Sequence, residues 1–280
     1  MDRIILQFKK NYFACFGLFI TMVLIFCAIF APFIAPFDEA SQNLANRLIP
    51  PFYNEGGSLT HILGTDEFGR DVLSRLIYGA SVSIKIGFIS VGISLIFGLI
   101  LGMLAGFYGG FIDNLIMRLI DIMLTIPSIL LAIVVVAILG PSLNNAMIAI
   151  GIVGIPTYAR IIRALVMAEK NKEYVIASKL NGSSDIRLML NVILGNCLSP
   201  IIVQATMGFA SAILEAAGLS FLGLGAQPPM AEWGSMLTNS LEYISTAYWL
   251  ILYPGLAIFL TVLGINLVGD ALSDALNPKV

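Results

Sequence analysis

Six long apolar stretches alternate with polar segments along this 280-residue chain: 13–36, 82–108, 112–139, 145–167, 197–222 and 243–270. The first runs 24 residues almost without a polar side chain. At the rise of an α-helix it covers about 36 Å, enough to cross a hydrocarbon layer of ~30 Å. The pattern predicts an all-α integral membrane protein with six transmembrane helices. A signal peptide has a shorter apolar core and a small-residue cleavage site, so the first stretch reads as an uncleaved span. Leu24-Ile25-Phe26-Cys27 is a poor lipoprotein site because Phe26 is bulky.

Local detail refines each span. Val72–Tyr78 reads as an amphipathic helix at the interface, ahead of the second span. In that span Ser94, Gly98, Gly102 and Gly106 recur every four residues and put small side chains on one helix face. Small residues let two helix backbones approach closely in lipid. Lys85 lies near one end, where it can snorkel. Pro127 predicts a kink in the third span, and Gly154 with Pro156 a break in the fourth. Tyr243, Tyr248, Trp249 and Tyr253 gather at one end of the sixth as an aromatic belt.

Composition agrees with the pattern. The chain is 58% hydrophobic and 11% charged, against about 25% charged in a soluble domain. Cys15, Cys27 and Cys197 have no metal-site or C-x-x-C spacing, and the single histidine, His61, reads as a loop residue. No phosphate loop is present: Gly64–Asp71 is glycine-containing but lacks the Gly-x4-Gly-Lys-Ser/Thr pattern. Nothing suggests a cofactor, a metal centre or nucleic-acid binding.

Charge placement orients the spans. The N-terminus, the segment between the fourth and fifth spans and the tail hold Arg3, Lys9, Lys10, Arg160, Arg163, Lys170, Lys172, Lys179, Arg187 and Lys279. The polar region 37–81 carries three arginines among six acids, and 223–241 has no Lys or Arg. The positive-inside rule then makes 1–12 a cytoplasmic N-terminus, 13–36 the first span and 37–81 an extracytoplasmic loop. A five-helix core over 82–270 follows, with a cytoplasmic loop at 168–196, and 271–280 is a cytoplasmic tail.

The most distinctive polar segment is Glu173–Asn196. Tyr174–Leu180 reads as a short helix, Gly182 as a turn residue that takes positive φ without steric cost, and Ser184 or Asp185 as the cap of a second helix. Such a helix–glycine–helix element at a membrane surface can dock in a groove on a soluble partner, and an ordinary cytoplasmic loop has the same shape. Charges within the apolar stretches are candidates for function. Arg118 and Asp121, three apart, are placed to pair on one face. Glu215 stands amid Ile213, Leu214, Ala216 and Ala217, and a partner on another helix or subunit is expected.

Four stretches carry a family resemblance across nearly the full length: Leu63–Ser74 (LGTDEFGRDVLS), Met117–Pro127 (MRLIDIMLTIP), Leu219–Trp233 (LSFLGLGAQPPMAEW) and Asn266–Pro278 (NLVGDALSDALNP). The chain resembles permease subunits of ATP-binding-cassette importers in the dipeptide/oligopeptide/nickel group, most of all the C-type permease of dipeptide systems. The resemblance implies a type I importer fold in a bacterial inner membrane. It also implies a second permease subunit, two cytoplasmic ATPases, an extracytoplasmic solute-binding protein, and cargo of peptides or, alternatively, nickel or a metal chelate. It makes the polar segment the ATPase-coupling loop, with Tyr174, Ala177, Ser178, Gly182 and Asp185 in it. Ala177, Ser178 and Gly182 stand at positions that match the family's Glu-Ala-Ala-x3-Gly pattern. Ile176 replaces its glutamate and Gly195 its later proline, and Ser273 and Asn277 stand where relatives often have Arg and Asp. An ion-coupled secondary transporter is the other reading; it would want an inverted repeat and midplane ionisable groups, for which only Asp121 and Glu215 qualify. An intramembrane enzyme lacks any nucleophile–base or metal constellation.

Overall fold

A computed structural model describes residues 11–276, and Arg3, Lys9, Lys10, Asn277 and Lys279 lie outside the described residues. The elements are α1 (Tyr12–Ile34), α2 (Val72–Tyr108), α3 (Gly110–Leu124), α4 (Ser128–Leu139), α5 (Leu143–Glu169), α6 (Glu173–Leu180), α7 (Leu194–Phe221), α8 (Trp233–Ser240) and α9 (Trp249–Leu276). Among the described residues there is no strand, only one isolated bridge between Thr65 and Asp71. Five helical segments are long and apolar enough to cross a membrane, and α3 with α4 makes a sixth if that bent pair counts as one span.

Several expectations change. Val72–Tyr78 is no separate interfacial helix, because α2 runs unbroken for 37 residues, roughly 55 Å. Asp71 starts it by accepting the Ser74 amide at 2.8 Å, and Gly79 inside it seats the Trp233 indole where a Cβ would clash. The third span is not merely kinked: α3 and α4 meet at 92° across Thr125-Ile126-Pro127. Their 15 and 12 residues reach about 22 and 18 Å, each short of the hydrocarbon thickness. Pro127 forces the turn, since it cannot donate to the preceding helix and drives its neighbour out of helical geometry.

Pro156 does not break the fourth span. α5 continues through it for 27 residues, as helices in lipid can do where neighbouring groups re-satisfy the freed backbone. The fifth span begins earlier than Cys197: a single turn at Asp185–Arg187 and a π-helical stretch at Leu188–Ile193 lead directly into α7. The last span starts at Trp249, and the preceding region, read as a polar loop, folds into α8 and a short 3₁₀ turn at Leu241–Tyr243.

The principal packing is α2 against α5, and the glycines explain it. A Cβ at Gly102 would lie 2.6 Å from the Ala159 carbonyl, and one at Gly106 2.8 Å from Val166 Cβ; Gly98 meets Tyr158 equally closely. The backbones therefore touch, and two serines sew them together. Ser90 Oγ donates to Met147 O at 3.0 Å and Ser94 Oγ to Gly151 O at 2.7 Å. A similar close approach joins α1 to α9, with Gly17 against Leu267 and Gly264. The core between α2, α4, α5 and α7 is filled by Ile86, Val136, Ile162, Leu188 and Leu219.

Candidate functional site

Three places on this scaffold carry polar chemistry. The first is the loop between α5 and α7. α6 packs inward through Val175, which is buried, while Ile176 and Leu180 are 50% and 83% exposed. Tyr174 donates its hydroxyl to Glu169, and Lys172 Nζ reaches the same carboxylate at 2.5 Å. The helix ends in a Schellman arrangement: Ser183 N donates to Ser178 O at 3.2 Å and Gly182 N to Lys179 O at 3.0 Å. Gly182 has φ +83°, the left-handed geometry the turn requires. Ser178 adds a hydroxyl contact with Ser183 at 3.0 Å. Ser184 occupies the cap position of the following turn without a side-chain bond, so the expected capping there is not made. Ala177 is exposed, and Asp185, with Lys170, Lys179 and Ile176, lines a groove of about 410 Å³ beside α6. Lys170 Nζ also caps α2 by donating to Gly106 O at 2.7 Å.

The second place is a cavity of about 400 Å³ between α2, α5, α7 and the α3–α4 elbow. α7 faces it with Gln204, Gly208, Ser211 and Glu215. Their spacing of four, three and four keeps them on one helix face. Ser90, Ser94, Thr157 and Tyr158 add hydroxyls. Glu215 is the only charged residue lining the cavity among the described residues, and Ser128, the first residue of α4, lines the same cavity. The stripe on α7 was overlooked in the sequence, although its spacing was readable there.

The expected Arg118–Asp121 pair is not formed. Arg118 is exposed and makes no ion pair among the described residues. Asp121 binds Arg160 at 2.7 Å instead, and Asp113 binds Arg163 at 2.5 Å. Pairs across two helices win because α3 folds against α5, which brings opposite charges together more closely than one helix face does.

The third place is the loop between α1 and α2. His61 is not a plain loop residue: it is buried, with Nδ1 3.0 Å from Asp71 Oδ1. Arg75 is 3% exposed and ties the loop to the one before α8, donating to Glu39 O at 2.9 Å and Pro229 O at 3.1 Å. Glu39 Oε2 in turn accepts the Ala231 amide at 2.8 Å. The aromatic belt serves this loop through its polar atoms. Tyr253 and Tyr53 hydroxyls lie 2.7 Å apart, Asn54 donates to Tyr248 at 3.1 Å, Arg47 to Tyr243 at 3.1 Å, and Trp249 Nε1 to Thr65 O at 3.3 Å. In the loop, burial and the neighbouring Asp66 charge push the Glu67 carboxyl above its ordinary range.

A family described as binding-protein-dependent transport system inner membrane component matches residues 98–280. The chain belongs to that family. A second family, the N-terminal TM domain of oligopeptide transport permease C, matches residues 1–51. The chain is 55% identical over 274 residues to a di/tripeptide transport system permease of Pseudomonas aeruginosa, covering 98% of this chain and 90% of the relative. It is 54% identical over 273 residues to a dipeptide transport system permease of Escherichia coli K12, covering 98% and 91%. In fold it is similar to a chain of the inward-facing MetNI methionine ABC transporter, with a TM-score of 0.59 at 20% identity, covering 73% of this chain and 97% of that one. This permease is therefore a multi-pass membrane subunit of an ATP-binding-cassette importer with a type I fold. An importer of this kind works with ATPase and solute-binding partners.

Proposed function

We propose that this permease forms half of a translocation path for dipeptides and short oligopeptides. The observation that carries the reading is the 55% identity, along 98% of the chain, to a di/tripeptide permease. The other half is a second, different permease subunit. Two cytoplasmic ATPases bind below, and an extracytoplasmic binding protein delivers the cargo. Peptide is favoured over nickel because the relatives most similar in sequence are named for peptides.

The α5–α7 loop is the joint to the ATPases. Its exposed Ile176 and Leu180, with Ile186 at 65% exposure, offer apolar surface with no cover in this chain, as a helix docked in a partner's groove does. ATP closure of the ATPase pair moves α6, and the two permease halves rock about the polar cavity. Hydrolysis is left to the ATPases, since this chain carries no phosphate loop. The Lys/Arg asymmetry supports a cytoplasmic position for both termini and this loop, with 37–71 on the opposite side.

The test is uptake of radiolabelled Ala-Ala by the complete transporter in vesicles, with ATP inside and an ionophore present. ATP-dependent uptake that survives the ionophore supports the reading; uptake abolished by the ionophore favours an ion-coupled transporter. Competition by excess nickel chelate, but not by Gly-Gly, would move the cargo to metal. For orientation, single cysteines at Asn181 and Leu59 serve. Gly57 does not, because a side chain there meets the Pro51 carbonyl. Membrane-impermeant label should reach Leu59→Cys and not Asn181→Cys from outside.

A further inference from the structure

We propose that Glu215 is a cargo-contacting residue, whose carboxylate receives the α-ammonium of the peptide as it crosses the cavity. The inference rests on the peptide reading and adds to it a named group on the path. Four observations lead there. Glu215 is the only charged side chain lining the cavity among the described residues. It sits on the same face of α7 as Gln204, Gly208 and Ser211, so the whole stripe is presented to one occupant. The cavity, about 400 Å³, is in the range of small-molecule pockets, roughly 300–1,000 Å³. Finally, Ser128, which begins α4 and shares the cavity wall with Glu215, has one hydroxyl proton to give, against the several acceptor positions of a carboxylate.

A peptide carries one fixed cation, at its amino end, and a backbone of alternating donors and acceptors. An ammonium has three N–H donors and no acceptor. It matches the unused lone pairs of Glu215, whereas a peptide carboxylate there would be repelled. Ser211, Thr157 and Gln204 supply neutral partners on the same walls for the peptide groups, without selecting any side chain. A carboxylate partly enclosed by protein attracts a cation more strongly than one in bulk solvent. The position also has a mechanical consequence. Ser128 begins α4 at the 92° elbow, so cargo bound at Glu215 lies against this abrupt bend in the bundle.

Two measurements test this on the complete transporter. In proteoliposomes with ATPases and binding protein, Glu215→Gln should lower the maximal rate of Ala-Ala uptake at least tenfold. Copurification of the partner subunits and ATP hydrolysis stimulated by the binding protein should stay within twofold. Glu215→Asp should recover a third or more of the uptake. Uptake within twofold of wild type in Glu215→Gln would overturn the proposal. The second measurement keeps Glu215 intact, with Cys15, Cys27 and Cys197 replaced and Ser211→Cys introduced. Its reaction with the cationic ethylammonium methanethiosulfonate should outpace that with the anionic ethylsulfonate reagent by at least ten times their ratio on a free thiol. A ratio equal to that of the free thiol would overturn the cation site even if Glu215→Gln fails to assemble. A wild-type transporter that takes up no Ala-Ala, yet keeps the cationic preference at Ser211→Cys, would sink the peptide reading and leave the cation site standing.

Discussion

Arg163 on α5 grips Asp113 on α3 with two bonds, Nε to Oδ1 at 2.5 Å and Nη2 to Oδ2 at 2.6 Å. The fork-to-fork geometry fixes the angle between the helices as well as their distance. With side chains 29% and 14% exposed, the pair is only partly screened. Its neighbour, Arg160 with Asp121, is 55% and 64% exposed and makes a single bond at 2.7 Å. Arg163→Ala should cost roughly 1–2 kcal/mol, and Arg160→Ala under about 0.5 kcal/mol. Arg163→Lys should recover only part, because an ammonium cannot make both bonds. Thermal unfolding of the detergent-purified transporter reads the order of the three variants; equal losses at Arg160 and Arg163 would contradict the ranking.

The glycine seam between α2 and α5 makes a sharper prediction. At Gly102 a Cβ would meet Ala159 O at 2.6 Å and Ile162 Cβ at 2.8 Å, backbone and a branched carbon that cannot swing aside. Gly102→Val should therefore force the helices apart and cost about 3 kcal/mol or more. Gly92, on the same helix, has nothing within 4 Å of the added carbon. Gly92→Ala should be neutral or stabilising by up to ~1 kcal/mol. Yield of monodisperse protein and its melting temperature check both.

Gly182 separates strain from bulk. Its positive φ of +83° penalises any side chain, but nothing in this chain lies within 4 Å of the added carbon. Within the subunit, alanine therefore has no steric advantage over aspartate at this position. Any bulk that matters there meets a partner. Gly182→Asn, which tolerates left-handed geometry, should leave α6 folded. If the loop is the joint proposed above, Gly182→Asp should insert normally, copurify poorly with the ATPases and lose most uptake. Full copurification and full uptake in Gly182→Asp would refute that role.

Glu67 gives a pH signature. Desolvation first, then the Asp66 charge, raise its carboxyl above the ordinary value, against weaker lowering from its own backbone amide, Arg70 and Arg75. The folded state thus holds this proton more tightly than the unfolded chain does. Stability from this group is greatest below the ordinary carboxylate pKa of about 4.3 and declines as pH rises through the raised folded value. Glu67→Gln should accordingly raise the melting temperature at pH 7, and the gain should vanish near pH 4. A loss at pH 7 would show that the 3.3 Å contact with Arg70 outweighs the burial.

The sequence alone determined the elements that depend on local chemistry and length. Apolar runs long enough for lipid marked the five continuous spans, the four-residue glycine repeat marked one packing face, and Gly182 marked the turn that follows α6. These features need no partner: hydropathy, the absence of a Cβ and positive φ are properties of single residues or of one helix. The tertiary structure alone decided which charges meet. Arg118 and Asp121 are neighbours in sequence, yet Asp121 turns to Arg160 because the bend at Pro127 folds α3 onto α5. It also decided that His61 is buried against Asp71 and that Arg75 is buried and bonded to residues about 155 positions away. The cavity is of the same kind. Gln204, Ser211 and Glu215 are legible as a stripe on one helix, but only the packing of α2, α4 and α5 around that stripe encloses it.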